Sequence, residues 1–507
     1  MNRKHPWLFV LIAVNFLCAW LPLIPSLFAF NELEVFLKEF DGRSAKLLWR
    51  SIWIASSTSI LSLLIGWPLG IMLGRFEFMG RTLLKTILPL ACLMPPLMVA
   101  QAWHGILGIS GPWAAVFSLG CGYASIPALL IIQSLNFQSQ SSYESARLID
   151  FNLTIKNILR HTKGAAMTGA AISFIFTIGD FAVPDYFATV GELFHVYSSE
   201  VFGNSRDANF ALGAVSNAPL MLIGLGVFFL ILPWIRQENK APTQYAERHA
   251  PSRPVLMSIF SFSFMSLILF AILIRIIFET GIQGPLSTSS WIETSKNAFS
   301  SAIELGRSDI LRTFQYAGFG ALITFLCAPL WAFILQNAGN KWKIVILGFT
   351  GIPLLMPSLS IGFGSILVFN QPGWEGFYHS VFLPGLLIAG RFMIIAILIH
   401  NFTLNQRAPS IDESARLHKL SLTTRVFNIY LKKHFRTAFL ASALVFVFAI
   451  RELDFAILLP AANQSAAVRY YNALHFSRDN FVAAFGLILC LLAFLPILLH
   501  NLVKRND

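Results

Sequence analysis

Long apolar runs leave this chain little choice of solvent. A helix needs roughly 20 mostly apolar residues to cross the hydrocarbon core of a bilayer. Twelve such stretches are read here: 7–30, 49–73, 84–109, 112–135, 164–189, 211–235, 255–278, 311–336, 343–369, 380–401, 436–460 and 483–503. Composition agrees, because 56% of the 507 residues are hydrophobic and 12% charged, whereas soluble domains are about 25% charged. The predicted fold class is an all-α polytopic membrane protein with about 12 transmembrane helices.

The formal charge of +12 raises the question of a nucleic-acid partner. The Lys and Arg are scattered among short loops and form no contiguous basic face, so they read as topology signals and no nucleic acid is expected. If the spans alternate from a cytoplasmic N-terminus carrying Arg3 and Lys4, most of the basic residues fall in cytoplasmic segments, which predicts N-in and C-in. The first span exceeds a signal-peptide core and lacks a small-residue cleavage site, so it is expected to be retained.

Chemistry-bearing motifs are few. Cys18, Cys92, Cys121, Cys327 and Cys490 are solitary, and no pair has metal-ligand spacing. The histidines form no HExxH, and neither a GxSxG elbow nor a GxxxxGK[ST] phosphate loop is present. The chain is therefore expected to hold no catalytic residue, metal or cofactor of its own.

The sequence repeats itself. Arg50-Ser51-Ile52-Trp53 answers Arg312-Thr313-Phe314-Gln315, and Leu93-Met94-Pro95-Pro96-Leu97 answers Leu355-Met356-Pro357-Ser358-Leu359, both at an offset of 262. The pentapeptide ESARL occurs at 144–148 and again at 413–417, an offset of 269. Asp180-Phe181-Ala182 pairs with Asp454-Phe455-Ala456 at 274, and Ser205-Arg206-Asp207 with Ser477-Arg478-Asp479 at 272. Six spans per half make a parallel repeat, related by an axis along the membrane normal. The predicted domains are a first half, 1–235, a polar linker, 236–254, and a second half, 255–507.

Two polar loops, 137–163 and 402–435, hold the repeated pentapeptide. In each, Ser141 or Ser410 stands three residues before Glu144 or Glu413, a capping box that predicts a short helix starting at the serine. Arg147 and Arg416 later in the helix suit its dipole. One such helix alone reads equally well as lying on lipid headgroups. Two at equivalent places suit a two-fold symmetric partner.

The loop is similar to the E-A-A-R-L-x-G coupling loop of permeases in bacterial binding-protein-dependent ABC importers, at Glu144-Ser145-Ala146-Arg147-Leu148 and at Glu413-Ser414-Ala415-Arg416-Leu417. Ile429-Tyr430-Leu431 matches that family's later hydrophobic step. Arg391-Phe392, Arg451-Glu452-Leu453, Leu458-Leu459-Pro460, Ala467 to Asn472 and Ser477-Arg478-Asp479 resemble the second half of the fused ferric-iron permeases, with thiamine and putrescine permeases sharing much of the pattern. The resemblance implies a type I importer permease fold in a bacterial inner (plasma) membrane. It also implies two ABC ATPase subunits gripping the ESARL helices and using the ATP, and an extracytoplasmic solute-binding protein delivering the cargo. Asp150 and Lys419 stand where the family has glycine, and Lys163 and Lys432 where it has proline. Glycine enters a left-handed helix end at little cost and lysine does not.

Charges inside spans need a reason, since one at a helix centre costs about 2.5–3.5 kcal/mol on insertion scales. Asp180, Asp185, Arg391, Arg451, Glu452 and Asp454 read either as lining a water-accessible path between the halves or as Arg-to-acid pairs holding helices together. Pro95, Pro96 and Pro357 break spans at matched depth, which points to a translocation path. His195, Tyr197, Tyr470, Tyr471 and His475 fall in outer loops, open either to a partner or to solvent alone. The function expected is import of a delivered substrate, ferric iron first, with thiamine or a polyamine as alternatives. A major-facilitator-like secondary transporter, faintly suggested by Gly74-Arg75 through Gly80-Arg81, and a non-transporting scaffold are the rivals.

Overall fold

The computed structural model describes residues 6–28, 30–206, 209–235, 248, 251, 253–282, 288–405, 417–418, 420–421, 424–425, 430–476 and 479–504. The protein is an all-α polytopic membrane protein, with no strand among the described residues. Among the described residues seven helices are long and apolar enough to cross a bilayer: Gly42–Arg75, Gly111–Leu135, Phe210–Ile235, Pro254–Glu279, Ser290–Asn337, Phe382–Leu404 and His434–Arg451. Three further pairs reach that length only across a bend: Arg81–Leu93 with Pro96–Leu107 (103°), Asn152–Gly179 with Ala182–Thr189 (57°) and Asn340–Leu355 with Ser358–Phe369 (95°). Trp7–Trp20 and Asn480–Leu495 are apolar but shorter. Each stretch read from the sequence thus falls on an apolar helix or a bent pair, but 84–109, 164–189 and 343–369 are not straight crossings. The 436–460 stretch stops being α-helical at Arg451.

Proline explains two of the bends. Its ring removes a backbone donor and drives the preceding residue out of the α region. Met94 (φ −68°, ψ 135°) and Pro95 (φ −57°, ψ 131°) are extended where the first pair turns. Met356 (φ −76°, ψ 145°) and Pro357 (φ −55°, ψ 136°) repeat those angles in the second.

Small residues let the long helices touch. Gly66, Gly70 and Gly74 share one face of Gly42–Arg75 at four-residue spacing. A Cβ at Gly66 would lie 2.3 Å from the Ala124 carbonyl oxygen, and one at Gly70 2.9 Å from that of Ala128. Between Ser290–Asn337 and Phe382–Leu404 the same closeness is reciprocal: a Cβ at Gly320 would lie 2.8 Å from the Gly385 oxygen, and one at Gly385 2.7 Å from that of Tyr316.

The first helix does not pack only where its place in the chain suggests. Trp20 Nε1 donates to the Phe349 carbonyl (2.8 Å), as does Asn15 Nδ2 (3.3 Å), and a Cβ at Gly390 would lie 2.2 Å from the Cys18 oxygen. Residues 15–20 therefore sit against helices that follow the linker. In return, Pro254–Glu279 reaches back: Ser258 Oγ donates to the Met79 carbonyl (3.1 Å), and the Arg275 guanidinium lies over Gly105.

Candidate functional site

The ESARL segment at 144–148 lies in a surface helix, Gln140–Ile149. Its cap is two residues earlier than the capping box predicts. Ser139, not Ser141, is the N-cap and accepts from the Ser142 amide (3.4 Å), while the Glu144 carboxylate takes the Gln140 side chain instead of the N-cap amide. Ser141 is already helical, and its carbonyl accepts from Ser145 Oγ (2.6 Å). Tyr143 and Ala146 face inward, with the Arg75 guanidinium carbon 3.3 Å above the centre of the Tyr143 ring. Glu144, Ser145 and Arg147 are exposed, and so are two apolar side chains, Leu148 (86%) and Ile149 (74%). The helix ends at Asp150 in extended backbone (φ −165°, ψ 154°), which any residue adopts, so no glycine is required there. Of the second copy, Glu413, Ser414, Ala415 and Arg416 lie outside the described residues, as do Ser410 and Lys419. Leu417 is exposed (82%) like Leu148.

At the far end of the Phe151–Gly179 helix from Gln140–Ile149 lies a central cavity of about 70 Å³. That exceeds the roughly 10–15 Å³ that one water requires. Asp180, Pro95, Arg391, Arg451, Glu452 and Asp454 all line it. Pro357 stands just behind, its Cα 3.8 Å from where a Cβ on Gly179 would be, and its neighbour Ser358 enters the polar network. Residues read separately from two halves of the sequence are therefore brought to one place.

The network has a definite order. Arg391 Nη1 donates to both Glu452 oxygens (2.8 and 2.9 Å) and to Ser358 Oγ, while Ser358 Oγ donates to Glu452 Oε1. Arg451 Nη1 donates to the Cys92 carbonyl, and its guanidinium lies 5.9 Å from the Tyr123 ring and 5.4 Å from that of Phe448. Asp180 Oδ1 accepts from the amides of Ala182 (2.8 Å) and Val183 (3.1 Å), holding the bend into Ala182–Thr189. Pairing thus accounts for Arg391 with Glu452, but not for all the charges. Asp180 is held by backbone, Arg451 by a carbonyl and rings, and Asp454 contributes a third carboxylate to the lining.

The structure changes the register of the repeat here. Asp180 (φ −75°, ψ 120°) and Glu452 (φ −72°, ψ 118°) are each the first residue past their helix, with amides bonded to Thr177 and Ala449 three residues back. Asp180 therefore corresponds to Glu452 rather than to Asp454. At that offset of 272, Phe174-Ile175-Phe176-Thr177-Ile178-Gly179-Asp180 answers Phe446-Val447-Phe448-Ala449-Ile450-Arg451-Glu452. The repeated Asp-Phe-Ala triplet had drawn the pairing two residues too far.

Sequence reading also missed an aromatic row. Tyr123 lies 5.9 Å from Phe176, Phe176 6.4 Å from Phe448, and Phe448 5.1 Å from Phe392, and all four line the cavity. Tyr123–Phe176 and Phe392–Phe448 are matching pairs at the sequence offsets of 269 and 272 already found for ESARL and for Asp180 with Glu452. Those offsets set Gly122 opposite Arg391 and Gly179 opposite Arg451, so both cavity arginines stand where the earlier stretch of sequence has glycine. Tyr197, Tyr470 and Tyr471, read as outer-loop residues, are buried instead. Tyr470 and Tyr471 belong to the Ala466–His475 helix, and Tyr470 Oη donates to Gln101 Oε1 (2.5 Å).

Among the described residues no three His, Cys, Asp or Glu side chains gather closely enough to hold a metal ion. No family model matches the chain, and no curated protein matches it.

Proposed function

We propose that the chain is the permease of a binding-protein-dependent ABC importer: two fused six-span halves enclosing a central path, with ferric iron as the cargo that fits the sequence resemblance best. The observation that carries the reading is the convergence of repeat-matched positions on one cavity. Asp180 with Glu452, and Tyr123–Phe176 with Phe392–Phe448, line it from both sides, with Pro95 in the lining and Pro357 just behind it. The reciprocal reach of residues 15–20 and 254–279 across the linker supports two halves built to be held together. The exposed, apolar-tipped helix Gln140–Ile149 supports a cytoplasmic docking knob.

In this mechanism the ATP-driven closure of two ATPase subunits moves the helices carrying 144–148 and 413–417. Arg75, buried under the first of these and stacked on Tyr143, ties that knob to the end of Gly42–Arg75. The halves then tip about the cavity from inward-facing to outward-facing as a loaded binding protein docks outside. Pairing of Arg391 with Glu452 satisfies those two buried charges while Asp180 and Asp454 offer carboxylates to a passing cation.

Charge reversal at both Glu144 and Glu413 tests it. The double variant is expected to insert normally but to lose co-purifying ATPase and ATP-dependent uptake of radiolabelled ferric citrate. Unchanged ATPase association would overturn the reading, and so would proton-driven uptake by the chain alone in liposomes.

A further inference from the structure

The helix Ala466–His475 is started by Ser465, whose hydroxyl accepts from the Val468 amide (3.1 Å). Four-residue spacing puts Tyr471 and His475 on one face of it, and that face meets the first-half helix Ala182–Thr189. Asp185 Oδ2 accepts from Tyr471 Oη (2.5 Å) and lies 3.0 Å from His475 Nε2, while the phenol and imidazole centroids are 4.4 Å apart. His475 Nδ1 is 2.9 Å from the Tyr471 carbonyl oxygen. A carbonyl only accepts, so Nδ1 is the donor there, and Nε2 is left as the nitrogen aimed at Asp185. Metal-ligating histidines are likewise held through one ring nitrogen by a carbonyl or carboxylate, which leaves the other nitrogen for the ion.

Tyr471 Oη and His475 Nε2, from the second half of the chain, converge on Asp185 Oδ2 from the first. A carboxylate, a phenol and an imidazole are together a donor set for a hard, highly charged cation, and phenolate in particular is a known ligand of ferric iron. The group is reachable, with the His475 and Asp185 side chains 24% and 29% exposed. It is also next to the cavity: Asp185 is one helical turn beyond the lining residues Ala182 and Val183, and Tyr471 adjoins the lining residue Tyr470.

We propose that Asp185, Tyr471 and His475 form a ferric-ion receiving site at the rim of the cavity, on the end of the molecule away from Gln140–Ile149. The inference rests on the ferric-import reading and adds the place where the ion first meets the permease. On binding, Tyr471 gives up its phenol proton and His475 the Nε2 proton it shares with Asp185, both to water, and the imidazole coordinates through the freed Nε2. Water or the delivering chelator fills the remaining positions. Three protein ligands make a site that an ion can enter and leave, as conduction requires. Because one ligand comes from the first half and two from the second, separating the halves dismantles the site and frees the ion toward Asp180 and Asp454.

The test is a titration of the purified full chain in lipid nanodiscs with ferric citrate, read by the visible charge-transfer absorption of iron-bound tyrosinate. The wild type is expected to develop the band. Tyr471→Phe is expected to abolish it, and Asp185→Asn and His475→Gln to raise the iron concentration for half-saturation at least tenfold. Tyr197→Phe, whose hydroxyl instead donates to the Ser216 carbonyl, is expected to leave the band unchanged. Monodisperse elution of each variant separates ligand loss from misfolding, and His475→Gln keeps the Tyr471–Asp185 bond should Tyr471→Phe prove unstable. No band in the wild type, or a band that survives Tyr471→Phe, overturns the site. Iron uptake without the band sinks the site and leaves the permease reading standing, whereas a band without uptake sustains the site and sinks the cargo.

Discussion

At the scale of single residues, the arrangement around Ser358 decides how buried charge is tolerated. Removing one partner of a buried pair strands the other, which typically costs about 3–5 kcal/mol. Arg391→Ala should therefore lower thermal stability in detergent far more than Ser358→Ala, which leaves the bidentate contact to Glu452 in place. The exchange Arg391→Glu with Glu452→Arg should recover part of the loss seen in each single variant, as read by the melting temperature of the purified protein. No recovery would mean that Ser358 and the surrounding backbone, rather than mutual attraction, fix the geometry. Asp41 offers a pH-dependent counterpart outside the membrane helices. It caps Gly42–Arg75 by accepting from the amides of Ser44 (2.9 Å) and Arg43 (2.8 Å), and these bonds hold its carboxyl below the ordinary value of 3.8. A lowered folded-state value contributes stability above the unfolded one and loses it as pH falls through the folded one. Amide exchange in the first turn of that helix should thus quicken below about pH 3.8, and Asp41→Asn should remove the pH dependence of that turn.

At the scale of helices, what could be read from the sequence follows from how local its cause is. Pro95 and Pro357 break their helices wherever they sit, because the missing donor and the clash act on the next residue along. Both bends are therefore legible. Their size is not, since a turn of 103° or 95° depends on what the second arm packs against. The short helix at Gln140–Ile149 was likewise legible, whereas the choice of Ser139 over Ser141 as its cap was not: both serines offer the same chemistry, and the burial of Tyr143 and Ala146 fixes the phase. Close approach is the other device at this scale. A side chain at Gly66 would meet the Ala124 carbonyl and the Pro127 ring, neither of which can yield. Gly66→Leu should destabilise the first half by about 1–3 kcal/mol or more, as overpacking does, and lower the yield of folded protein in the membrane. Gly226→Leu, with nothing within 4 Å, should be silent by the same measure.

At the scale of the whole molecule, hydropathy shows that the first helix is buried in something apolar but not whether that is lipid or protein. Nothing in residues 7–20 says that they belong beside Phe349 and Gly390. In a bilayer no hydrophobic force drives helices together, so the association must come from close packing and hydrogen bonds, each of the latter about 0.6 kcal/mol on average and at most about 1.7. Trp20 to Phe349, Asn15 to Phe349 and the contact at Gly390 supply both on one side, and Ser258 to Met79 supplies them on the other. The arms should consequently hold the halves together even without a covalent linker. Expressed as two chains divided within 236–252, the halves are expected to co-purify in mild detergent. Deleting residues 1–28 from the first should release the second, while Asn15→Ala and Trp20→Phe together should weaken the pair by about 1–3 kcal/mol, two bonds of that size, measured as a shift in the concentration for dissociation. If the deletion leaves co-purification intact, the halves are held by Arg451 on the Cys92 carbonyl, Tyr470 on Gln101 and Tyr471 on Asp185 instead. In that case the arms would serve insertion and not assembly, and the bonds of Arg451, Tyr470 and Tyr471 to the first half would carry the cohesion of the molecule.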